Sequence, residues 1–328
     1  MAKKKEVKVD NTKLTNLLKD LQKTHKGAVI QMGSDVEIKE RISTGSEAID
    51  ELTGGGIPCG VYSVAWGSKG CGKTSLAYST IAEAQKKDKV CLFLDLEHTY
   101  DAERAEMFGV DSETLVVAEF SKAEDSMDAI IKLCKEKAVG MIVLDSIQSM
   151  SPTGEQETKK GKELSVEHDT QALLARKLGQ FFRMSAHYVS TSKCAVLLIG
   201  QSRMSIGGYI NIEMLSGGNA LMHWSSLIIK LRRGKGVDAP VRSFREDYVD
   251  DEGKSRYRTV KEACGFNLVL KIDKTKIKSK TENTELQIPF YYNGGFKDIT
   301  GEEVRKIKDI IEEGVKDDDS GNENTVTE

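Results

Sequence analysis

VYSVAWGSKGCGKTSLAYSTIAEAQKK, residues 61–87, decides how the rest of the chain reads. Its first six residues (61–66) are apolar enough for a strand buried on both faces. GSKGCGKT (67–74) then fits G-x-x-x-x-G-K-[ST], and residues 73–87 carry a helical pattern. Strand, glycine-rich loop and helix in that order form the context this loop requires. Glycines let backbone N–H groups converge on phosphate oxygens with no Cβ in the way. The helix N-terminus adds a partial positive charge. The nucleotide-binding candidates are therefore Gly67, Ser68, Lys69, Gly70, Cys71, Gly72, Lys73, Thr74 and the adjoining Ser75. Lys73 is placed to reach the β- and γ-phosphates of ATP, and the Thr74 hydroxyl to ligate Mg²⁺.

Outward from this loop, short apolar runs alternate with helical stretches. VCLFLD (90–95), LVVAEF (115–120), MIVLD (141–145) and AVLLIG (195–200) read as strands buried on both faces, with helices near 73–87, 124–137 and 169–190. That alternation predicts an α/β fold, a mainly parallel sheet with helices on both faces. SLIIKLR (226–232), FNLVLKID (266–273) and ELQIPFYY (285–292) follow with almost no helix between them and read as an antiparallel extension of the sheet. Segments 151–168 and 202–218 lack strong periodicity, as long functional loops do, and 234–262 is irregular and highly charged. Before the core, Leu14, Leu17, Leu18 and Leu21 mark one face of a small N-terminal helix, which folds back on its own domain or docks on a neighbouring subunit. From Glu312 to Glu328 seven acids stand against one lysine, the composition of a disordered acidic tail.

Two carboxylates complete the candidate phosphate chemistry. Asp145 ends a buried strand, where ligands of open α/β sheets bind, and is the natural holder of Mg²⁺ through water, beside Thr74. Glu97, just past strand 90–95, is placed to activate the water that attacks the γ-phosphate. Asp95 competes for that role, and the residues alone do not separate the two. His98 offers a further candidate base, although a histidine beside an ionised glutamate is more often its structural partner.

The composition narrows the function classes. With 39% hydrophobic and 30% charged residues, the 328-residue chain builds a sizeable core. No apolar run approaches the ~18 residues of a membrane span. The basic start, MAKKKEVKVDN, lacks the apolar stretch of a secretory signal. Six scattered cysteines without a C-x-x-C pair argue against a disulfide framework and a zinc site, and for reduced thiols in a cytoplasmic setting. A net charge of −3 excludes coating of nucleic acid by bulk positive charge, so any nucleic-acid contact must come from focused patches.

ISTGSEAIDELTGGGIPCG (42–60) resembles the approach segment of RecA-type ATPases in general. CLFLDLEHTYD (91–101), VLDS (143–146), QSRMSIGG (201–208), GGNAL (217–221), the arginine pair at 232–233 and KTKI (274–277), in this order and spacing, resemble the RecA recombinase family, bacterial or phage-encoded. The likeness covers roughly residues 25–295. It implies a P-loop RecA-type core over 36–295, an oligomerisation helix and strand in 1–35, and a short segment 296–328 with no folded C-terminal lobe.

The same resemblance implies roles. Glu97 takes the place of the catalytic glutamate, and Gln201 that of the glutamine that senses the γ-phosphate and passes the signal to the loop after it. Asp101 matches the residue that contacts adenine; Arg104 stands where the family has a stacking aromatic. Arg176 and Arg183, seven apart on one helix face, match arginines that grip the DNA backbone. The first DNA loop is about 155–167. The second is 202–218, with Arg203 for phosphate and Met204 and Ile206 as apolar contacts. Ser205, Gly207, Gly217, Gly218 and Asn219 complete its contacts. Lys274 and Lys276 match a pair that reaches the neighbouring subunit's nucleotide, and VIQMG (29–33) the strand that adds to the next subunit's sheet. Met222, His223 and Ile228 replace a lysine, a phenylalanine and an arginine that serve the family's subunit interface. The implied function is ATP-dependent pairing and strand exchange by a helical filament. Its partners would be single-stranded DNA, homologous duplex, and single-strand-binding and loading proteins. The alternative is a hexameric helicase on the same fold.

Overall fold

The structure, a computed structural model, describes residues 11–25, 29–30, 39–156, 173–204, 213–234, 240–249, 255–292 and 295–296. Helix α1 (Asn11–Thr24) lies in a unit of its own, Met1–Lys39, and carries Leu14, Leu17, Leu18 and Leu21 on one face. Of VIQMG only Val29 and Ile30 are described.

Glu40 onward forms the second unit. It opens with β1 (Arg41–Ile42), α2 (Glu47–Thr53), β2 (Ile57–Pro58), β3 (Tyr62–Gly67) and α3 (Lys73–Gln85). Next come β4 (Cys91–Asp95), α4 (Ala102–Met107), β5 (Leu115–Ala118), α5 (Ala123–Lys135) and β6 (Met141–Asp145). A 3₁₀ turn (Ile147–Ser149) leads to α6 (Thr153–Gln156), α7 (Leu173–Ser192), β7 (Ala195–Met204), β8 (Glu213–Leu215) and α8 (Gly218–Trp224). The described part closes with β9 (Leu227–Arg233), β10 (Val241–Val249), β11 (Ser255–Ala263), β12 (Gly265–Thr275) and β13 (Glu285–Tyr291).

The main sheet runs β13-β12-β9-β3-β7-β6-β4-β5, with β8 paired to the far end of β7. Successive strand residues point to opposite faces, and both faces are apolar. Ala65, Phe93, Val143 and Leu197 pack under α2 and α3 with Ile49, Leu76 and Ile81. Their chain neighbours Val64, Leu92, Leu144 and Leu198 pack under α5, α7 and α8 with Met127, Ile130, Phe182 and Leu221. Phe93 and Phe182 are fully buried, each worth roughly 1.5–3 kcal/mol. Helix α2 is bounded by its own residues: the Ser46 side chain accepts from the Ile49 N–H, and Gly54 closes the helix at φ +79°.

Four features differ from the reading of the sequence. Strand β9 pairs parallel with β3 (Ser63↔Leu227 to Gly67↔Leu231), so the antiparallel part of the sheet begins only at β12. The reason is α8, a short helix missed in the sequence, which carries the chain back across the sheet so that β9 enters at the same end as β3. LVVAEF forms an edge strand: Val116 and Val117 of β5 are exposed. The charged stretch 234–262 contains a β-hairpin, β10 against β11, in unbroken register from Val241↔Ala263 to Val249↔Ser255. Arg245 lies 4.0 Å from the Tyr257 ring centroid, and Arg258 5.8 Å from that of Tyr248. Charged residues on both faces hide the apolar alternation by which a strand is usually recognised. Finally, the described ends of 202–218 pair with each other: Ser202, Arg203 and Met204 face Leu215, Met214 and Glu213 across an antiparallel ladder.

Candidate nucleotide and DNA site

The carboxyl ends of β3, β4, β6 and β7 lie side by side at one edge of the sheet, and each contributes to the site. Register sets the arrangement: Gly67 at the end of β3 faces Gln201 of β7, and Asp95 of β4 faces Asp145 of β6.

The loop after β3 is shaped by its glycines. A Cβ on Gly67 would lie 2.0 Å from the Leu231 carbonyl oxygen, so no other residue lets β9 run this close. Gly72 turns into α3 at φ +88°, a left-handed conformation. Ser68, Lys69 and Gly70 are exposed at the tip, while Cys71 and Ser75 are buried. The Lys73 ammonium is buried and donates to the carbonyls of Gly67 (3.2 Å) and Ser68 (2.7 Å), so its charge sits inside the loop. The Arg233 Nε donates to the Gly70 carbonyl at 3.0 Å, with its guanidinium 4.4 Å from the Phe266 ring centroid. Arg233 thus braces the loop from β9, a contact that the arginine pair in the sequence did not reveal.

Thr74 and Asp145, 71 residues apart, meet in a hydrogen bond of 2.6 Å from Oγ1 to Oδ2. Burial pushes the Asp145 carboxyl up to about 6; the Thr74 bond opposes this, and the Glu97 charge adds to it. A hydroxyl and a carboxylate beside a phosphate loop are the hard oxygen donors that suit Mg²⁺. No group of three or more His, Cys, Asp or Glu that could hold a metal occurs among the described residues. All six cysteines are free thiols.

Glu97 and Asp95 occupy different environments. Asp95 is buried and accepts the Tyr100 N–H at 2.7 Å, which orders the loop after β4. Glu97 is half-buried and accepts at 2.6 Å from Nε2 of Gln201, a residue 104 positions away. His98 turns aside to pair with Glu119 at 2.8 Å. Asp101 caps α4, accepting from the Arg104 N–H at 3.2 Å, and Arg104 Nη2 reaches Ser75 Oγ at 3.5 Å. The adenine-side candidates therefore adjoin the start of α3.

The described DNA candidates gather on one side. Arg176 and Arg183 are exposed on α7, one face and two turns apart. The exit of the second loop lies against the same helix: a Cβ on Gly218 would sit 2.9 Å from the Ala175 Cβ. Gly217 precedes α8 at φ +118°, Asn219 is exposed, and so is Arg203 on β7. Met204 is placed by its backbone in β7. Ser205, Ile206 and Gly207 lie outside the described residues, as do 157–167 of the first loop.

Lys274 and Lys276 sit elsewhere than beside this subunit's own phosphate loop. Register shifts between Ile272 and Lys274 of β12, leaving Asp273 to accept from the Trp66 Nε1–H at 2.7 Å. Beyond that bulge, Lys274 donates to the Met222 and His223 carbonyls and Lys276 to the His223 carbonyl. Both ammoniums thereby satisfy carbonyls at the C-terminal end of α8, where positive charge is favoured. Burial, and then repulsion from Lys276, lowers the Lys274 pKa.

One side chain with no place in the reading of the sequence belongs to the site. Gln148, in the turn after β6, accepts the Gln201 N–H at 2.6 Å and donates to the Ser216 carbonyl at 3.1 Å. Only its position three residues after Asp145 could have hinted at this.

Residues 12–266 match the family profile of the RecA N-terminal domain. Among curated proteins, the chain is 32% identical over 295 residues to Protein RecA of Agrobacterium fabrum, covering 89% of this chain and 71% of that protein. It is 31% identical over 314 residues to Protein RecA of Brucella canis, covering 94% and 77%. With the profile spanning most of the core and relatives above 30% identity covered over more than two thirds of their length, the chain belongs to the RecA recombinase family.

Proposed function

We propose that the chain is a DNA-dependent ATPase that assembles on single-stranded DNA and carries out homologous pairing and strand exchange. The observation that carries this reading is the 2.6 Å bond between Gln201 and Glu97. It joins the candidate hydrolytic carboxylate to the residue from which the second DNA loop departs. A helicase reading finds no support among the relatives.

The phosphate-loop N–H groups and Lys73 hold the β- and γ-phosphates, and Thr74 and Asp145 would hold Mg²⁺. Bound there, Mg²⁺ neutralises charge on the phosphate oxygens. Glu97 orients the attacking water and takes its proton. Gln201 exchanges its bond to Glu97 for one to the γ-phosphate, so DNA-loop geometry follows the nucleotide. Lys274 and Lys276 of an adjacent copy add positive charge at that phosphate, as an arginine finger does. Nucleotide captured between copies stabilises the assembly by mass action. Such a head-to-tail contact closes into a ring or continues as a helical filament. Arg176, Arg183 and Arg203 supply phosphate contacts, base pairing with an incoming duplex supplies specificity, and hydrolysis to ADP and phosphate releases the product.

Electron microscopy of the full chain with ATP, Mg²⁺ and single-stranded DNA tests this. Helical filaments are expected; closed rings of fixed subunit number in every nucleotide state would refute it.

A further inference from the structure

Ile147–Ser149 form a single 3₁₀ turn two residues after Asp145, and Gln148 is its middle residue. Its half-buried amide binds at both ends. Oε1 accepts the Gln201 N–H, which can only donate, and Nε2 donates to the Ser216 carbonyl, which can only accept. Gln201 is the residue at which the second loop begins, and Ser216 is where it returns to α8. The side-chain ladder is therefore continuous: Glu97 to Gln201, Gln201 backbone to Gln148, Gln148 to Ser216. The β7–β8 ladder stops at Ser202↔Leu215, and the one backbone bond beyond it, Ser216 N–H to the Gln201 carbonyl, is long at 3.4 Å. Gln148 thus adds to the β7–β8 ladder a side-chain tie between Gln201 and Ser216, and anchors both ends of the loop to the turn that follows Asp145.

We propose that Gln148 is a positioning residue that transmits the nucleotide state from the Glu97–Gln201 pair to the second DNA loop. The inference rests on the reading of Gln201 as γ-phosphate sensor and of 202–218 as DNA-contacting. When the Gln201 amide leaves Glu97 for the γ-phosphate, its backbone shifts with it. The Gln148 amide carries that shift to Ser216, so both ends of the loop move together. Without this tie, only the short β7–β8 ladder joins entry to exit, and Ser216 follows the nucleotide less closely.

The readout is coupling rather than affinity alone. Fluorescence anisotropy of a labelled oligo-dT measures its Kd for the full chain with Mg²⁺ and either a non-hydrolysable ATP analogue or ADP. The wild-type ratio of the two Kd values defines the coupling. Gln148→Met keeps the length of the side chain and removes both bonds; the ratio should fall about fivefold or more. Gln148→Glu keeps the acceptor for Gln201 and sets a carboxylate against the Ser216 carbonyl, so its ratio should fall as well. If circular dichroism shows that one variant is unfolded, the other decides. A ratio that survives both substitutions overturns the proposal. So does a parallel weakening in both nucleotide states, which would make Gln148 a static support of the loop. A wild-type ratio near one would instead sink the underlying reading of Gln201 and the loop, and this proposal with it.

Discussion

Replacing Glu97 by glutamine separates chemistry from binding. The Gln201 Nε2 donates to Glu97 Oε1 at 2.6 Å, and a glutamine carbonyl at the same position accepts the same bond. The change exchanges a charge-assisted hydrogen bond for a neutral one, a difference of about 1 kcal/mol, without leaving the Gln201 amide unpaired. What disappears is the base. General-base catalysis contributes about 10²–10⁴-fold, so kcat should fall by that factor, equivalent to about 2.7–5.4 kcal/mol in activation free energy. Phosphate release with saturating single-stranded DNA measures kcat; fluorescent-ATP titration and oligonucleotide anisotropy measure binding. Nucleotide and DNA affinities should stay within about fivefold of wild type, as the ~1 kcal/mol difference allows. A kcat within threefold of wild type would remove Glu97 from the chemistry. Loss of ATP binding would make it a structural residue whose tie to Gln201 merely holds the loop after β4. Glu97→Ala sharpens the comparison, because it also strands the Gln201 amide and should disturb the nucleotide dependence of DNA binding.

Lys73→Ala should abolish turnover, since it removes the buried ammonium at the loop; unchanged phosphate release would disprove the phosphate assignment. Arg176→Ala should weaken single-strand binding and reduce the slope of log K against log salt by about 0.7, read by anisotropy over a salt series; an unaltered slope takes α7 out of the DNA site. Gly67→Ala places a Cβ 2.0 Å from the Leu231 carbonyl and should destabilise the core by ~1–3 kcal/mol, seen as a lower thermal midpoint together with weaker nucleotide binding. Arg233→Ala should weaken ATP binding while leaving the DNA salt slope intact, because its contact is with Gly70 of the phosphate loop; a changed slope would move Arg233 to the DNA interface.

The departures from the sequence reading share a cause. Strand direction is not a local property: LIIKLRR would look the same in either orientation, and only the crossing of α8 makes β9 parallel to β3. β10 and β11 are held by one another, and their charged residues serve two faces, so the apolar alternation was absent from each strand alone. Val116 and Val117 have the composition of an interior strand, yet the sheet ends at β5. Lys274 and Lys276 stood out only by resemblance; their bonds to the α8 carbonyls follow from a bulge at Asp273 that no pattern announced.

Whatever depends on neighbours along the chain was legible before folding. The phosphate loop lies between its strand and its helix, Asp145 ends an apolar run, and Arg176 and Arg183 share a face because the helical period puts them there. Whatever depends on residues far apart in the chain was decided by the tertiary structure. Glu97 meets Gln201 while Asp95 meets the Tyr100 N–H, and Gln148 meets both Gln201 and Ser216. A covalent neighbour constrains a residue through fixed geometry, whereas a partner a hundred positions away is supplied only when parallel strands bring their carboxyl ends to one edge of the sheet.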